Sequence, residues 1–328
     1  MIISRTPLRI SFVGGGTDIR EFYQNHKGSV LSSSINKYAY VMTHPFFNSK
    51  QILLKYSDME LVHNVDEIKH PIFREVLRFL DIKGGLEITT NADVPAGTGM
   101  GSSSSFTVGL LNCLYAYLGK NVSKEKLAKE ACKIEIDILK EPIGKQDQYI
   151  SAFGSINFIE FFPNETVSVS PIIMSEKCRN KLNENLIMFY TGMSRSASKI
   201  LKNQITSIKK EDNIKIMAKM AGLAEELRKK LNKNDLSSFG SILNKGWLLK
   251  KKLAHNITNP IIEKYYAKAI QNGATGGKIL GAGGGGFLLF YADRKNHDKI
   301  RKSLGNLVEL TFRFDNEGSR IIYYADEH

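Results

Sequence analysis

The fold is decided by the stretch PAGTGMGSSSS, residues 95–105, which runs directly into the apolar sequence FTVGLLNCLYAYL. Its three glycines allow backbone conformations that a Cβ atom forbids, so the amide groups of the loop can close around an anion. From Phe106 onward apolar residues recur at helical spacing, which predicts a helix that begins in the serine run. Because free amides and the positive end of a helix dipole attract negative charge, this stretch predicts a phosphate-binding site.

This serine-rich loop is not a Walker A loop. A Walker A loop has a lysine after its last glycine, whereas Ser102 follows Gly101 here and the stretch contains no lysine. The missing positive charge has to come from elsewhere, most simply from a cation held by a serine hydroxyl and a carboxylate. A capped loop that binds nothing has the same local sequence, so the glycines alone do not establish a site.

Length and composition indicate a globular protein without membrane spans. The chain has 328 residues, of which 42% are hydrophobic, enough for one large domain or two fused lobes. The apolar N-terminus is interrupted by Arg5 and Arg9, which argues against a signal peptide or an anchor. Cys113, Cys132 and Cys178 are odd in number and far apart, so we expect reduced cysteines in a cytoplasmic protein.

The net charge of +13 raises the question of nucleic-acid binding. The lysines are scattered along helical patterns, for example over residues 124–133 and 250–252, without interleaved aromatic residues or a nucleic-acid motif. We therefore interpret them as solvated helix faces and expect no nucleic-acid partner. A positive field also suits an anionic nucleotide and a phosphorylated small molecule.

A second glycine-rich turn follows the first predicted strand. The alternation in IISRTPLRISFV predicts a strand, and the glycines of residues 14–16 end it. Thr17 and Asp18 come next and are predicted to cap a short helix, IREFYQNH. Three glycines and a carboxylate at a strand end can bring the backbone close to a ligand, and a tight turn with an N-cap explains the same residues equally well.

Several acids lie on a second helical pattern downstream of the serine-headed helix. Pro142 and Gly144 predict its end, which would leave residues 145–147 in the following loop. Glu135 and Asp137 compete as a site residue, since two helical steps turn them about 200° apart. A solvated surface charge is the simplest interpretation of any one of these acids taken alone.

The last third of the sequence predicts long helices over residues 199–231 and 235–254, followed by a third glycine-rich stretch. In KILGAGGGGFLLFYA the glycines stand between two β-forming segments, which indicates a structured loop and not a linker. The chain is predicted to end in a second lobe, with a helix over residues 295–304 and the strands LVELTFRF and SRIIYY. Arg195 lies at a predicted helix start and is either an anion contact or a surface arginine.

The three glycine-rich stretches resemble the motifs of the GHMP kinases, the superfamily of galactokinase, homoserine kinase, mevalonate kinase and phosphomevalonate kinase. The central pattern of that family, Pro-x-x-x-Gly-Leu-Gly-Ser-Ser, falls on residues 95–103, with Met100 in place of leucine. The N-terminal frame matches at Pro7, Arg9, Gly14, Thr17 and Asp18. Gly15 and Gly16 stand where galactokinases have Glu and His, which argues against galactose. The form RTPLRISFVGGGTD is similar to the sugar kinases of nucleotide-activated heptose synthesis and to fucokinase-type domains.

The resemblance implies an α+β fold of two lobes, ribosomal-S5-like over residues 1–170 and ferredoxin-like over residues 171–328. It also implies ATP and Mg²⁺, with the phosphates held by Pro95, Gly97, Thr98, Gly99, Met100, Gly101, Ser102, Ser103 and Ser104. Ser103 and Glu135 would hold the metal ion. Asp147 would deprotonate the acceptor hydroxyl, and Arg9 would orient Asp147 or neutralise transition-state charge. The sugar would be bound by Gly14, Gly15, Gly16, Thr17, Asp18, Lys145, Arg195, Gly283, Gly284 and Gly285.

The implied activity is transfer of the γ-phosphoryl group of ATP to the anomeric hydroxyl of a sugar phosphate. Lys145, Arg20 and Arg195 are the candidates for contact with the phosphate of that substrate. We expect a monomer or homodimer with no membrane partner. Two alternatives stay open, namely a kinase of an unphosphorylated sugar such as fucose and a non-catalytic sensor that binds ATP and sugar on the same fold.

Overall fold

Two β-sheets organise the residues that the computed structural model describes, which are 1–193, 211–254, 256–305 and 307–325. The strands are β1 (Ile2–Val13), β2 (Gly28–Pro45), β3 (Ile52–Lys55), β4 (Met59–Val62), β5 (Leu86–Ala92), β6 (Ile156–Phe161), β7 (Val167–Pro171), β8 (Leu186–Tyr190), β9 (Ala274–Ile279), β10 (Phe287–Ala292), β11 (Val308–Glu309) and β12 (Arg320–Tyr324). The helices are α1 (Arg20–Tyr23), α2 (Pro71–Phe79), α3 (Ser102–Tyr117), α4 (Lys124–Cys132), α5 (Gln146–Phe153), α6 (Glu176–Glu184), α7 (Glu211–Leu231), α8 (Phe239–Lys251), α9 (Pro260–Gln271) and α10 (His297–Leu304). A π-helix, Lys133–Ile138, continues α4. The predicted mixture of helices and sheets is confirmed.

The long strand β2 is the centre of the first sheet. Its first half pairs with β6, its second half pairs with β5, and β1 runs antiparallel to most of its length. The path continues as β12-β1-β2-β5-β3-β4, with β3 parallel to β5. The strand β5 leads directly into residues 95–101, so the sheet fixes the position of the glycines that precede α3.

The second sheet has the order β11-β8-β10-β9, and its paired strands are antiparallel. Two expectations about the end of the chain are wrong. The segment SRIIYY forms β12, which pairs with β1 in the first sheet instead of the second lobe. Of LVELTFRF only Val308–Glu309 is a strand, while Phe314 makes an isolated bridge to Ile35. The division at residue 170 stays a prediction, with β7 ending at Pro171.

Buried apolar side chains join the two lobes. One of three clusters contains Phe12 and Met100 from the first lobe together with Phe239 and Leu280 from the second. The rings of Phe12 and Phe239 meet edge to face, with 5.2 Å between their centroids. Burying a phenylalanine contributes about 1.5–3 kcal/mol, so this shared cluster stabilises the contact between the lobes. The cavity described below lies beside it.

Candidate active site

A cavity of about 680 Å³ lies between the lobes, and half of the candidate residues line it. Its first wall is the glycine loop of residues 95–101, here called the central glycine loop, together with the first turn of α3. Its second wall consists of Gly16, Asp18 and the first residues of α5, and the second lobe contributes Lys250, Gly281 and Ala282. A volume of this size holds a small-molecule ligand, since typical ligand pockets measure about 300–1,000 Å³.

The central glycine loop has the backbone that its glycines predict. Gly97, Gly99 and Gly101 have φ angles of +77°, +85° and +72°, which a residue with a Cβ rarely adopts. Gly101 precedes α3, so the free amides of the first helical turn face the cavity at Ser102 to Ser104. The Ser102 Oγ atom is buried and finds no hydrogen-bond partner among the described residues. An unsatisfied buried hydroxyl beside free amides fits an anionic ligand.

Three predicted ATP-binding residues support this loop from behind. The Thr98 hydroxyl donates to the Pro95 carbonyl at 2.9 Å, which closes the turn. Met100 is fully buried in the cluster that joins the lobes. Within the described part of the chain, Pro95, Thr98 and Met100 are absent from the cavity lining, whereas Gly97, Gly99, Gly101, Ser102, Ser103 and Ser104 belong to it.

Ser103 and Glu135 meet in the cavity. The Ser103 hydroxyl donates to Glu135 Oε1 at 2.8 Å, and the Gln148 amide donates to Glu135 Oε2 at 2.7 Å. Burial raises the pKa of Glu135 to about 7, against the opposing effect of the hydrogen bonds from Gln148 and Ser103. A carboxylate and a hydroxyl are hard oxygen donors of the kind that a divalent cation takes beside substrate phosphates. Among the described residues no group of three His, Cys, Asp or Glu side chains forms a complete metal site.

Burial and hydrogen-bond partners distinguish Glu135 from Asp137. Over Lys133–Ile138 the backbone has an extra residue per turn, and such segments occur frequently at functional sites. Glu135 is 1% exposed and faces the cavity. The Asp137 carboxylate instead accepts from Arg20 Nη1 at 2.8 Å, with a side chain that is 45% exposed. The structure therefore brings Glu135, and not Asp137, to Ser103.

Arg9 and Asp147 form a two-point ion pair in the same cavity. The Arg9 Nε and Nη2 atoms each donate to one oxygen of Asp147 at 2.7 Å. Arg9 Nη1 donates to the carbonyl of Gly99 at 2.5 Å, so this arginine links Asp147 to the central glycine loop. The expectation that Asp147 lies in a loop is wrong, because α5 begins at Gln146 and places Asp147 in its first turn. A bidentate arginine fixes the direction of a carboxylate as well as its charge.

The turn of residues 14–18 lies beside this pair. Asp18 accepts from the backbone amides of Gly16 at 2.8 Å and Gln146 at 3.1 Å. Burial, followed by the nearby Asp147, raises the pKa of Asp18. The predicted N-cap is therefore wrong, since Ile19 occupies that position and no side chain caps α1. Gly16 and Asp18 line the cavity.

The other residues of this turn hold it in shape. A Cβ atom on Gly14, which has a φ of +87°, would lie 2.0 Å from the carbonyl oxygen of Ser29. The Thr17 hydroxyl donates to the carbonyls of Gly14 and Ser29 at 2.9 and 3.0 Å. A Cβ on Gly15 would contact the side chains of Ser11 and Gln146. These three predicted sugar-binding residues thus contact protein atoms in the structure.

Several predicted substrate contacts lie away from the cavity lining. The Lys145 ammonium binds the Glu165 carboxylate at 2.5 Å and lies 4.7 Å from the centre of the Tyr23 ring. Gly283 and Gly285 pack against the backbones of Ile257 and Met193, and Gly284 donates to the Ile257 carbonyl. Arg195 and the predicted helix start at residues 194–198 lie outside the described residues.

Sequence reasoning missed a buried cation and the apolar end of the cavity. Lys250 was interpreted as part of a solvated face, yet it is 6% exposed and lines the cavity. Nothing in the run LLKKK separates it from its neighbours, because only the packing of α8 buries this one lysine. The rings of Tyr56 and Phe106 both contact Phe73, and these three side chains with Ile72 and Leu139 form an apolar patch of the lining, here called the apolar end. The apolar end suits a flat, weakly polar group.

The arrangement of the residues in the cavity indicates the class of protein. An anion-binding helix end, a buried carboxylate–serine pair and an oriented carboxylate beside them suit transfer of a phosphoryl group from a nucleoside triphosphate to a small molecule. The two lobes thus enclose the site of a small-molecule kinase.

The chain belongs to the GHMP kinases. Their N terminal domain matches residues 54–155 and their C terminal domain matches residues 225–309. These enzymes are ATP-dependent kinases that generally need a divalent metal ion. The fold and the enzyme class expected from the sequence are therefore confirmed. Within the described residues, no helix has the length and apolar character needed to cross a membrane.

The chain is also similar to individual members of this family. The chain is 31% identical to D-glycero-alpha-D-manno-heptose 7-phosphate kinase of Campylobacter jejuni, over 95% of this chain and 96% of the relative. It is 27% identical to the bifunctional fucokinase/GDP-fucose pyrophosphorylase of Arabidopsis thaliana, over 94% of this chain and 32% of that longer protein. Its fold is similar to the crystal structure of a D-glycero-D-manno-heptose 1-phosphate kinase from Bacteroides thetaiotaomicron. The TM-score is 0.81 and the identity is 25%, over 99% of this chain and 100% of the other.

Proposed function

We propose that this protein is an ATP- and Mg²⁺-dependent kinase that phosphorylates the anomeric hydroxyl of D-glycero-D-manno-heptose 7-phosphate to give the 1,7-bisphosphate. Such a product would serve nucleotide-activated heptose synthesis in the cytoplasm. The observation that carries the proposal is the meeting of the Ser103–Glu135 pair and the Arg9–Asp147 pair at the N-terminus of α3. The three cysteines, buried and unpaired, support a reducing compartment.

Different residues of the cavity bind the phosphates, the adenine ring, the metal ion and the sugar. The amides of the central glycine loop and of Ser102 to Ser104 hold the phosphates of ATP, and the apolar end accepts the adenine ring. Ser103 and Glu135 would hold Mg²⁺, which would neutralise charge on the phosphates. Gly16 and Asp18 contact the sugar, and Asp18 accepts a hydrogen bond from one of the sugar hydroxyl groups.

The chemistry follows from the direction of Asp147. The acceptor oxygen forms a bond to the γ-phosphorus while its proton passes to Asp147. The bond from the γ-phosphorus to the bridging oxygen breaks, and its electron pair leaves on ADP. Arg9 keeps both oxygens of Asp147 oriented, which positions the base before substrate arrives. A positioned general base contributes about 10²- to 10⁴-fold to the rate.

A substrate panel tests the proposal. ADP release would be measured with heptose 7-phosphate, heptose 1-phosphate, free heptose, mannose 6-phosphate and L-fucose. We expect the highest kcat/KM with heptose 7-phosphate and a new anomeric phosphorus signal in ³¹P NMR. Faster turnover of heptose 1-phosphate, or a product phosphorylated at another hydroxyl, would contradict the assigned acceptor.

A fucokinase-type activity is the second candidate. It is favoured by the 27% identity to the plant bifunctional enzyme, which covers nearly the whole of this chain. It predicts turnover of L-fucose and no gain from a terminal phosphate on the acceptor. The same panel separates the two, and ATP and sugar binding without any ADP release would instead indicate a sensor.

A further inference from the structure

Lys250 is a buried cation that faces the cavity from the second lobe. It lies near the end of α8 and is 6% exposed. Among the residues that the structure describes, its ammonium group donates one hydrogen bond, to the carbonyl of Gly281 at 2.6 Å. In the described part of the chain it forms no ion pair. A lysine ammonium has three N–H donors, so two remain available to a ligand in the cavity.

Asp18 and Asp147 lie near this lysine without forming an ion pair with it. In the described part of the chain, the lining contains the acids Asp18, Glu135, Glu141 and Asp147 and, besides Lys250, the cationic residue Arg9. The Arg9 guanidinium is already bound to both oxygens of Asp147. Asp18 and Asp147 offset the cost of burying this charge only in part, because the pKa of Lys250 stays below its usual value, so its retention at a ligand cavity indicates a ligand that supplies further negative charge.

The position of Lys250 is close to the expected reaction centre. Its partner Gly281 packs on the central glycine loop, where a Cβ on Gly281 would lie 2.6 Å from the Gly99 Cα atom. The carbonyl of Gly99 in turn accepts from Arg9, which holds Asp147. A short chain of contacts therefore connects the ammonium group to the base, whereas Lys145 and Arg20 are engaged with Glu165.

We propose that Lys250 is a further catalytic residue, whose ammonium group contacts the non-bridging oxygens of the phosphoryl group that is transferred. This inference rests on the kinase reaction proposed above. In that reaction the acceptor oxygen bonds to phosphorus, its proton passes to Asp147 and ADP leaves with the electron pair. Lys250 forms no covalent bond and gives up no proton. It stabilises negative charge that the transition state spreads over the phosphoryl oxygens.

The charge of Lys250 depends on pH. Arg9 from β1, Asp18 from the turn after β1, Asp147 from α5 and Lys278 from β9 surround it. Burial and Arg9 lower the pKa of Lys250 to about 8, against the opposing effect of Asp18 and Asp147. Burial, followed by Lys250 and Arg9, holds the pKa of Lys278 well below its usual range. The ammonium of Lys250 is therefore present below pH 8 and is lost as the pH rises above it.

Three variants test the inference. Lys250→Met keeps most of the length of the side chain and removes its charge, Lys250→Arg keeps a charge that does not titrate, and Lys252→Met is the control on an exposed neighbour. We expect Lys250→Met to lower kcat about 10²- to 10³-fold, with KM for ATP and for the acceptor within about threefold of wild type. In wild type, kcat/KM for ATP should fall above pH 8, and this fall should vanish in Lys250→Arg. Lys252→Met should behave as wild type.

The outcomes separate this inference from the proposed function. A wild-type kcat in Lys250→Met, an equal loss in Lys252→Met, or an alkaline fall that persists in Lys250→Arg would overturn it. If circular dichroism shows that Lys250→Met does not fold, the pH profile of Lys250→Arg decides. The assay uses whichever acceptor wild type phosphorylates, so a wrong sugar leaves the test intact. A wild-type protein that phosphorylates nothing in the panel overturns both.

Discussion

Two glycine loops of similar composition occupy different positions around one cavity. The central glycine loop, residues 95–101, turns its amides and the start of α3 toward the cavity. The C-terminal glycine loop, residues 281–286, turns most of its glycines toward other protein backbone. A Cβ on Gly286 would lie 2.3 Å from the carbonyl oxygen of Thr98, and one on Gly283 would lie 2.6 Å from that of Ile257. Glycine indicates close approach, and the approaching atoms can belong to a ligand or to the protein.

We expect the largest loss of activity from replacing Asp147, the proposed base beside the central glycine loop. Asp147→Asn removes the proton acceptor while keeping the shape of the side chain, so we expect kcat to fall about 10³-fold. ATP affinity, measured by calorimetry, should change little because the amides that hold the phosphates remain. Asp137→Asn is the matched control, an exposed acid paired with Arg20. A kcat near that of wild type in Asp147→Asn would contradict the role of Asp147 as the proton acceptor.

A pair of glycine variants tests the comparison directly. Gly286→Ala meets the Thr98 backbone at a φ of +95°, so we expect about 2–3 kcal/mol less stability in urea unfolding. Gly101→Ala, at a φ of +72°, would bring its Cβ 3.1 Å from Asp147 Oδ2 and 3.2 Å from Arg9 Cγ. Because it displaces the catalytic pair, we expect kcat to fall about 10²-fold with about 1–2 kcal/mol of destabilisation. If Gly286→Ala lowered kcat without loss of stability, and Gly101→Ala destabilised the protein with kcat unchanged, the functional role of the central loop and the packing role of the C-terminal loop would both be wrong.

The stability of the protein should depend on the protonation of Glu135. Its pKa is raised from 4.5 to about 7, so between these pH values the folded protein holds a proton that the unfolded chain releases. Stability of the metal-free protein should therefore fall as the pH rises from about 4.5 to 7, by up to about 3 kcal/mol. Glu135→Gln should abolish that fall in urea unfolding with EDTA, since Gln does not titrate. A slope identical to wild type would contradict the buried, protonated carboxyl group.

The smallest effect is expected from Lys145, which the sequence assigned to the substrate. Its ammonium is bound to Glu165 and contacts the Tyr23 ring. Lys145→Met should therefore cost about 1 kcal/mol of stability and change KM for the acceptor less than about threefold. A tenfold rise in KM with unchanged stability would instead support substrate contact.

Much of the site could be predicted from the sequence because its signals are local. The positive φ angles of the central loop require glycine, and the apolar spacing after residue 105 requires a helix. The pairing of Ser103 with Glu135 and of Arg9 with Asp147 followed from the family pattern, since these residues are 32 and 138 positions apart. Nothing in their separation along the chain predicts those contacts.

The amino-acid sequence by itself determined the helix end that faces an anion, because glycine conformation and apolar periodicity act within a few residues. The two-lobed kinase fold followed from the resemblance of its three glycine-rich stretches to the motifs of the GHMP kinases. Only the tertiary structure decided which acid, which lysine and which glycines reach the cavity. Glu135 in the π-helix is buried against Ser103, the packing of α8 buried Lys250 among other lysines, and the second lobe set the C-terminal loop against protein backbone. Burial and charge pairing depend on neighbours that are distant in sequence, and so they exist only in the folded chain.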